Sequence, residues 1–235
     1  MLLKLKQELT SLSNPEKAKI LRKFFKTGKG QYGEGDIFLG LTSQQIKDIA
    51  KKFYDLNLSE MQNLLESKIH EERVCALRIL VAKFNKFKKE RIKQREIYEF
   101  YLKNSHRINN WDLVDLSAPN IVGEFLQKED ASILRQLAKS SNLWERRIAI
   151  VSTYSFIRKR SFGETLVISE ILLNDEHDLI HKAVGWMLRE VGKRNKNALE
   201  IFLQPRYKKM PRTMLRYAIE KFPEEERKKY LKGKI

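Results

Sequence analysis

Apolar residues recur along this chain at helical spacing. Ile180, Val184, Met187, Leu188 and Val191 follow one another in steps of four, three, one and three, which gathers them on one stripe of a helix. Similar stripes run through Ile46 to Phe53, Val74 to Phe84, Ile97 to Leu102 and Ile148 to Phe156. No stretch alternates apolar and polar residues as a half-buried strand would. The pattern therefore predicts helices and no strands.

Punctuation falls between these stripes. Asn14-Pro15-Glu16 reads as an N-cap followed by proline at the first helical position. Asn57 and Ser59 precede Glu60-Met61-Gln62, Asp130 precedes a run from Ala131, and Pro223 opens the last helix. The intervals predict helices of roughly 10–16 residues joined by short turns, as in stacked helical hairpins. Arg147-Ile148-Ala149, Lys182-Ala183-Val184 and Arg216-Tyr217-Ala218 then recur at intervals of 35 and 34 residues, with Arg73 placed two repeats earlier. A period in the middle thirties predicts an α-solenoid of HEAT-like helical hairpin repeats. A cation recurring at one helical position would line its concave face and make a basic groove.

One segment departs from the helical pattern. Thr27 to Gly35 reads TGKGQYGEG and contains four of the ten glycines. Gly28, Gly30 and Gly33 match the dinucleotide-binding string, but that motif must follow a strand, and a helix-like run from Lys17 to Lys26 precedes this one. It reads as a loop.

Composition narrows the function. The 235 residues carry 47 Lys and Arg against 30 Asp and Glu, a net charge of +17 that favours polyanionic partners, nucleic acid first. With 42% hydrophobic residues the chain is globular and reads as a single domain spanning 1–235. The single cysteine, Cys75, excludes an intramolecular disulfide and a cysteine-based zinc site. Charge-free stretches reach only about ten residues, well short of the ~20 that a membrane span requires. The N-terminus is interrupted by charge every few residues, unlike a signal peptide. A soluble, cytoplasmic, DNA-associated monomer is expected.

Candidate chemistry centres on tryptophan. Trp111 and Asp115 are four apart and share a helix face. Lys182, Trp186 and Arg189 share another, beside the apolar stripe of their helix. A tryptophan bracketed by cations suits a sugar–phosphate surface, although helix packing is the commoner role of the residue. Asp115 alone combines a carboxylate with an aromatic neighbour on its own face in a basic setting. His177 and His181 are four apart, yet the HExxH string is absent and no metal site is expected. There is no GxSxG elbow and no P-loop.

These residues resemble a known family. Asn110-Trp111-Asp112-Leu113-Val114-Asp115, Ser141-Asn142-Leu143-Trp144-Glu145-Arg146-Arg147 and Lys182-Ala183-Val184-Gly185-Trp186-Met187-Leu188-Arg189-Glu190 are similar to the WDxVD, NxWxxR and KAxGWxLRE segments of AlkD-like DNA alkylation-repair glycosylases, in the same order. Tyr32 to Gly40 resembles a further N-terminal signature. The chain differs after Leu39-Gly40, where many relatives carry a proline and then an arginine, and at Phe24, where some carry tyrosine. Both differences fall on the N-terminal wall of the groove and bear on substrate preference.

The resemblance implies hydrolysis of the N-glycosidic bond of cationic alkylated purines, 3-methyladenine and 7-methylguanine, in duplex DNA, with no cofactor. It implies that Asp115 is catalytic, that Trp111 and Trp186 contact the deoxyribose and backbone at the lesion, and that Arg147 and Arg189, with Lys182 beside them, hold phosphates. It also implies attack from the backbone side with the lesion left in or near the duplex, which suits a set of residues with no base pocket. Two other readings stand beside it: a non-catalytic HEAT-repeat scaffold binding DNA or protein, and a relative acting on bulky or crosslinked adducts.

Overall fold

The computed structural model describes residues 1–235. The chain is all-α and divides into two compact units, Met1–Ser117 and Ala118–Ile235. The one β feature is an isolated parallel bridge between Ile37 and Ile69.

The first unit holds α1 (Leu2–Ser11), α2 (Pro15–Phe24), α3 (Ser43–Lys52), α4 (Leu58–Leu65), α5 (His70–Lys86), α6 (Arg91–Lys103) and α7 (Trp111–Ser117). Local sequence starts these helices. Asn14 caps α2 by accepting from the Lys17 amide at 3.0 Å, with Pro15 in the first turn. Thr42 with Gln45, and Asn57 with Glu60, form reciprocal capping boxes on α3 and α4. Helix α5 is the axis of the unit, with α3, α4, α6 and α7 packed around it. It is buried almost all round, including His70, Glu71, Glu72 and Arg73 in its first turn. Cys75 lies within it, fully buried, and burial pushes its thiol up to about 12.

The glycine-rich segment is a loop, as its context predicts, with α2 before it and no strand. The chain then runs along the start of α5. Leu39, Gly40 and Leu41 all donate backbone N–H groups to the Glu71 carboxylate, at 3.0, 2.8 and 3.4 Å. Gly40 has φ +88°, and a Cβ there would stand 2.2 Å from the Asn14 carbonyl oxygen, so only glycine fits.

The second unit opens with a π-helical turn at Pro119–Gly123 that runs into α8 (Glu124–Leu126). There follow α9 (Ser132–Leu137), α10 (Leu143–Ser152), α11 (Tyr154–Arg158), α12 (Gly163–Ile171), α13 (Asp178–Arg194), α14 (Lys196–Leu203), α15 (Arg212–Ala218) and α16 (Glu224–Lys232). Ile180, Val184, Met187, Leu188 and Val191 are fully buried, and α13 carries them between α10 and α15. Side-by-side packing of α10, α13 and α15 is the arrangement of successive second helices in a helical-repeat solenoid. Gly185 permits the close approach of α13 and α15: a Cβ there would stand 2.4 Å from Tyr217 Cβ. The stripe expected from Ile148 to Phe156 breaks at Thr153, between α10 and α11. The buried Thr153 hydroxyl donates to the Ile150 carbonyl at 2.7 Å, an alternative to continued helix.

The repeat is real, but its register differs from the expected one. Ser67 Oγ accepts from the Ile69 amide, and Arg73 donates back to the Ser67 carbonyl at 2.9 Å. Ser140 accepts from Asn142, and Arg146 donates back to the Ser140 carbonyl at 3.1 Å. Asp175 accepts from His177, and the His181 ring folds back onto the Asp175 carbonyl. Arg73, Arg146 and His181 are thus equivalent, each the fourth residue of its helix. Arg147, Lys182 and Arg216 are fifth residues, and their counterpart in α5 is Val74, not Arg73.

Candidate functional site

In the first unit the site is built on α7. The fully buried Asn110 caps it, accepting from the Trp111 amide at 2.8 Å. Trp111 therefore starts the helix and Asp115 follows one turn later, both half-buried. The indole of Trp111 stacks on Phe25, centroids 5.3 Å apart, and meets the edge of Phe24 at 5.8 Å. Phe25 stacks on Phe38 at 5.0 Å, and Phe38 on His70 at 4.6 Å. Four rings in succession fix the orientation of Trp111. The charge of Asp115 also reaches inward: burial, above all, holds the Tyr101 phenol in its protonated form, and Asp115 adds to that effect.

Beneath the rings lies an ionic network. His70 Nε2 donates to Asp112 Oδ2 at 2.7 Å, its Nδ1 lies 3.6 Å from Asp36 Oδ2, and Arg73 bridges to Asp36 at 2.7 Å. Burial works against the charged form of His70, but the hydrogen bonds of Asp112 and Asp36 outweigh it and raise its pKa. Asp36 is likewise opposed by burial, yet His70 and Arg73 hold its carboxyl below the usual range. Asp112 thereby ties α7 to α5 and to the segment after the glycine-rich loop.

The second unit presents Trp186 on α13, half-buried, with Tyr154 at 6.0 Å and 35°. Arg158 and Arg194 lie over the Tyr154 ring at 5.5 and 5.9 Å. Lys182 and Arg189 share the face of Trp186, as their spacing requires, but neither side chain is an isolated cation. Lys182 pairs with Asp178 at 2.6 Å, and Arg189 pairs with Glu220. Arg147 corrects the expected basic stripe. It is 5% exposed and donates to the Leu179 carbonyl at 2.7 Å, so it braces α10 against the start of α13. His177 caps α13 by accepting from the Leu179 amide, and His181 serves the turn described above.

Several residues at the first-unit site escaped the spacing argument: His70, Asp112, Asp36 and Arg73 in the network, and Phe25 and Phe38 in the stack. Phe38 and Asp36 lie inside the Tyr32-to-Gly40 signature, which was the available signal for them. A pocket of about 280 Å³ also opens against α7, lined by Phe25, Phe38, His70 and Asp112 among others, where the residue set had suggested none.

Stacked helical hairpins with no strands define a helical-repeat protein. The chain belongs to the DNA alkylation repair enzyme family, whose model matches residues 5–222. Its fold is similar to that of a protein from Enterococcus faecalis described as a predicted DNA alkylation repair enzyme. The TM-score is 0.68 at 16% identity, over 90% of this chain and 97% of that one. It is also similar to AlkD2 from Streptococcus mutans, with TM-score 0.54 at 20% identity over 95% and 97% of the two chains. The smu.31 protein of Streptococcus mutans UA159 gives 0.53 at 20% identity over 94% and 98%. No functionally curated protein matches the chain. Family membership carries a role as a repair enzyme that interacts with DNA, and no helix is long and apolar enough to cross a membrane.

Proposed function

We propose that the chain is a DNA glycosylase that hydrolyses the N-glycosidic bond of cationic alkylated purines, such as 3-methyladenine and 7-methylguanine, in duplex DNA. The Trp111–Asp115 pair carries this reading: a half-buried carboxylate one helical turn from an indole that is stacked into a fixed orientation, in a chain of net charge +17. A carboxylate repels DNA phosphates, a cost that the role proposed for Asp115 in the reaction offsets.

Alkylation at a ring nitrogen makes the base cationic and a good leaving group. The C–N bonding electrons leave with the base, which needs no general acid. The sugar becomes an oxocarbenium ion, water adds to its anomeric carbon, and a proton is lost. Asp115 stabilises the cation and orients or deprotonates that water. The Trp111 ring face stabilises the same positive charge. A contribution of about 3–4 kcal/mol from the carboxylate corresponds to roughly 150- to 1000-fold in rate. In the second unit, Trp186 is assigned a contact with the deoxyribose and backbone, with Lys182 and Arg189 at adjacent phosphates.

Lys182 pairs with Asp178, Arg189 pairs with Glu220 and Arg147 is buried, which leaves fewer cations for phosphate and favours a second reading, a non-catalytic scaffold that binds DNA or protein. Incubation with duplex DNA containing 7-methylguanine, scored for released base, separates the two. Release supports the glycosylase. Tight duplex binding without release leaves the scaffold.

A further inference from the structure

The first unit contains two adjoining pockets with complementary chemistry. The pocket of about 280 Å³ is walled by Phe25, Phe38, Ile46 and Val74, with His70 and Asp112 at its polar side. That volume lies near the lower end of small-ligand pockets, about 300 Å³, and suits a single flat ring system rather than an extended molecule. The second pocket, about 490 Å³, is lined by Lys47, Lys51 and Arg78 with one carboxylate, Asp48, already bonded to Gln44 at 2.8 Å. Arg78 and Leu116 line both, so the aromatic pocket opens beside the cationic one.

Arg78 is the hinge of the arrangement. Its Nη2 donates to the Ser43 hydroxyl at 2.7 Å, while its Nε is buried without a hydrogen-bond partner. It makes no ion pair, unlike Arg73 one face away, which bonds Asp36. Burial disfavours its charge, a cost that a bound anion would remove. An apolar pocket next to a guanidinium whose Nε has no hydrogen-bond partner matches a molecule that is a flat ring at one end and a phosphate at the other.

We propose that these two pockets form a mononucleotide site, with a purine-sized base in the apolar pocket lined by Phe25, Phe38, Ile46 and Val74 and its phosphate on Arg78, flanked by Lys47 and Lys51. The Asp112 carboxylate, 25% exposed, faces the base and favours exocyclic amino groups or positive ring charge. The site adjoins the Trp111–Asp115 pair, because Trp111 stacks on Phe25, but ligand binding there does not depend on base release. The nucleotide is either free or extruded from a DNA strand.

Titration calorimetry of the full chain with 2′-deoxyadenosine and with its 5′-monophosphate tests the site. The nucleotide should bind at least tenfold more tightly than the nucleoside. Arg78→Gln should abolish that difference while keeping nucleoside affinity, and Val74→Phe, which fills the aromatic pocket, should weaken both by tenfold or more. Should Val74→Phe melt far below wild type, Leu116→Trp at the shared rim closes the same space from a half-buried position. Equal affinities of wild type for nucleoside and nucleotide, or unaltered binding by a folded pocket-filled variant, would overturn the proposal. A duplex with one unpaired adenosine identifies the source. Preference for it over the fully paired duplex, lost on filling the pocket, means extrusion, and mononucleotide binding without that preference means a free ligand. Failure to release 7-methylguanine would overturn the glycosylase reading and leave these outcomes unchanged.

Discussion

His70 Nε2 and Asp112 Oδ2 stand 2.7 Å apart, and this contact couples the first turn of α5 to the helix that carries Trp111 and Asp115. The pKa of His70 is raised above its usual 6.5, so the protonated form is bound more tightly by the fold than by the unfolded chain. Its stabilisation is fully present below about pH 6.5 and fades as pH rises through the folded value. Asp36 is held below its usual 3.8, so its contribution is present above that pH and is lost on strong acidification. The melting temperature should therefore fall between pH 6 and 8. Asp112→Asn, which retains an acceptor but removes the charge, should flatten that slope. Thermal melts at pH 5.5 and 8 check this, and a slope identical in both proteins would detach His70 from the effect.

Glu71 is 1% exposed and satisfies three backbone N–H groups of Leu39 to Leu41. Glu71→Ala should leave those donors buried and unpaired, at about 1–3 kcal/mol each before relaxation. A loss of several kcal/mol in urea unfolding is expected, with protease cleavage appearing first near residues 28–42. Wild-type stability would mean that water replaces the carboxylate freely.

Asp115→Asn should bind duplex as well as wild type or better, because a charge facing phosphates is gone. Release of 7-methylguanine should fall roughly 10- to 1000-fold under single-turnover conditions. Undiminished release would remove the catalytic role. Trp111→Ala should lose both affinity and rate.

Glu220 is held below the usual carboxylate range by Lys221 and Arg189, and in return it occupies the Arg189 guanidinium. Glu220→Gln should release Arg189, tighten duplex binding and steepen the slope of log affinity against log salt by roughly one. Arg189→Ala in the Glu220→Gln background should remove that gain. Arg147→Ala should instead lower stability and leave the slope unchanged, since its guanidinium serves the Leu179 carbonyl. A reduced slope in Arg147→Ala would show that it reaches phosphate after all.

Gly185→Ala introduces a methyl group 2.4 Å from Tyr217 Cβ and 2.6 Å from the Met214 carbonyl oxygen. Helices α13 and α15 must part to admit it. A destabilisation of about 1–3 kcal/mol is expected, typical of overpacking, and denaturant unfolding measures it. A neutral result would mean that the two helices slide without cost.

Helices with one apolar face were readable from sequence, and α13 is the clearest, because its buried stripe is continuous and its other face polar. Caps at Asn14 and Asn57 were readable because capping uses residues three apart. The break at Thr153 was not, since a hydroxyl turning back on its own helix leaves no trace in apolar spacing. The same limit applies to the site. Trp111 with Asp115, and Lys182 with Trp186 and Arg189, follow from helical geometry. The network of Asp36, His70, Arg73 and Asp112 joins three chain segments, and no local pattern announces it. Arg147 looked like a surface cation because its partner, Leu179, lies 32 residues away and is a backbone carbonyl.

Cys75, the sole thiol, sits fully buried in α5 with its ionisation pushed up to about 12. At neutral pH it is almost entirely unionised and shielded from maleimides and disulfide reagents. The native chain is therefore already a silent background for conjugation. One cysteine introduced on the surface of either unit would take a single fluorophore or spin label without removal of any natural residue. Slow modification of Cys75 itself would then serve as an internal clock for transient opening of the first unit.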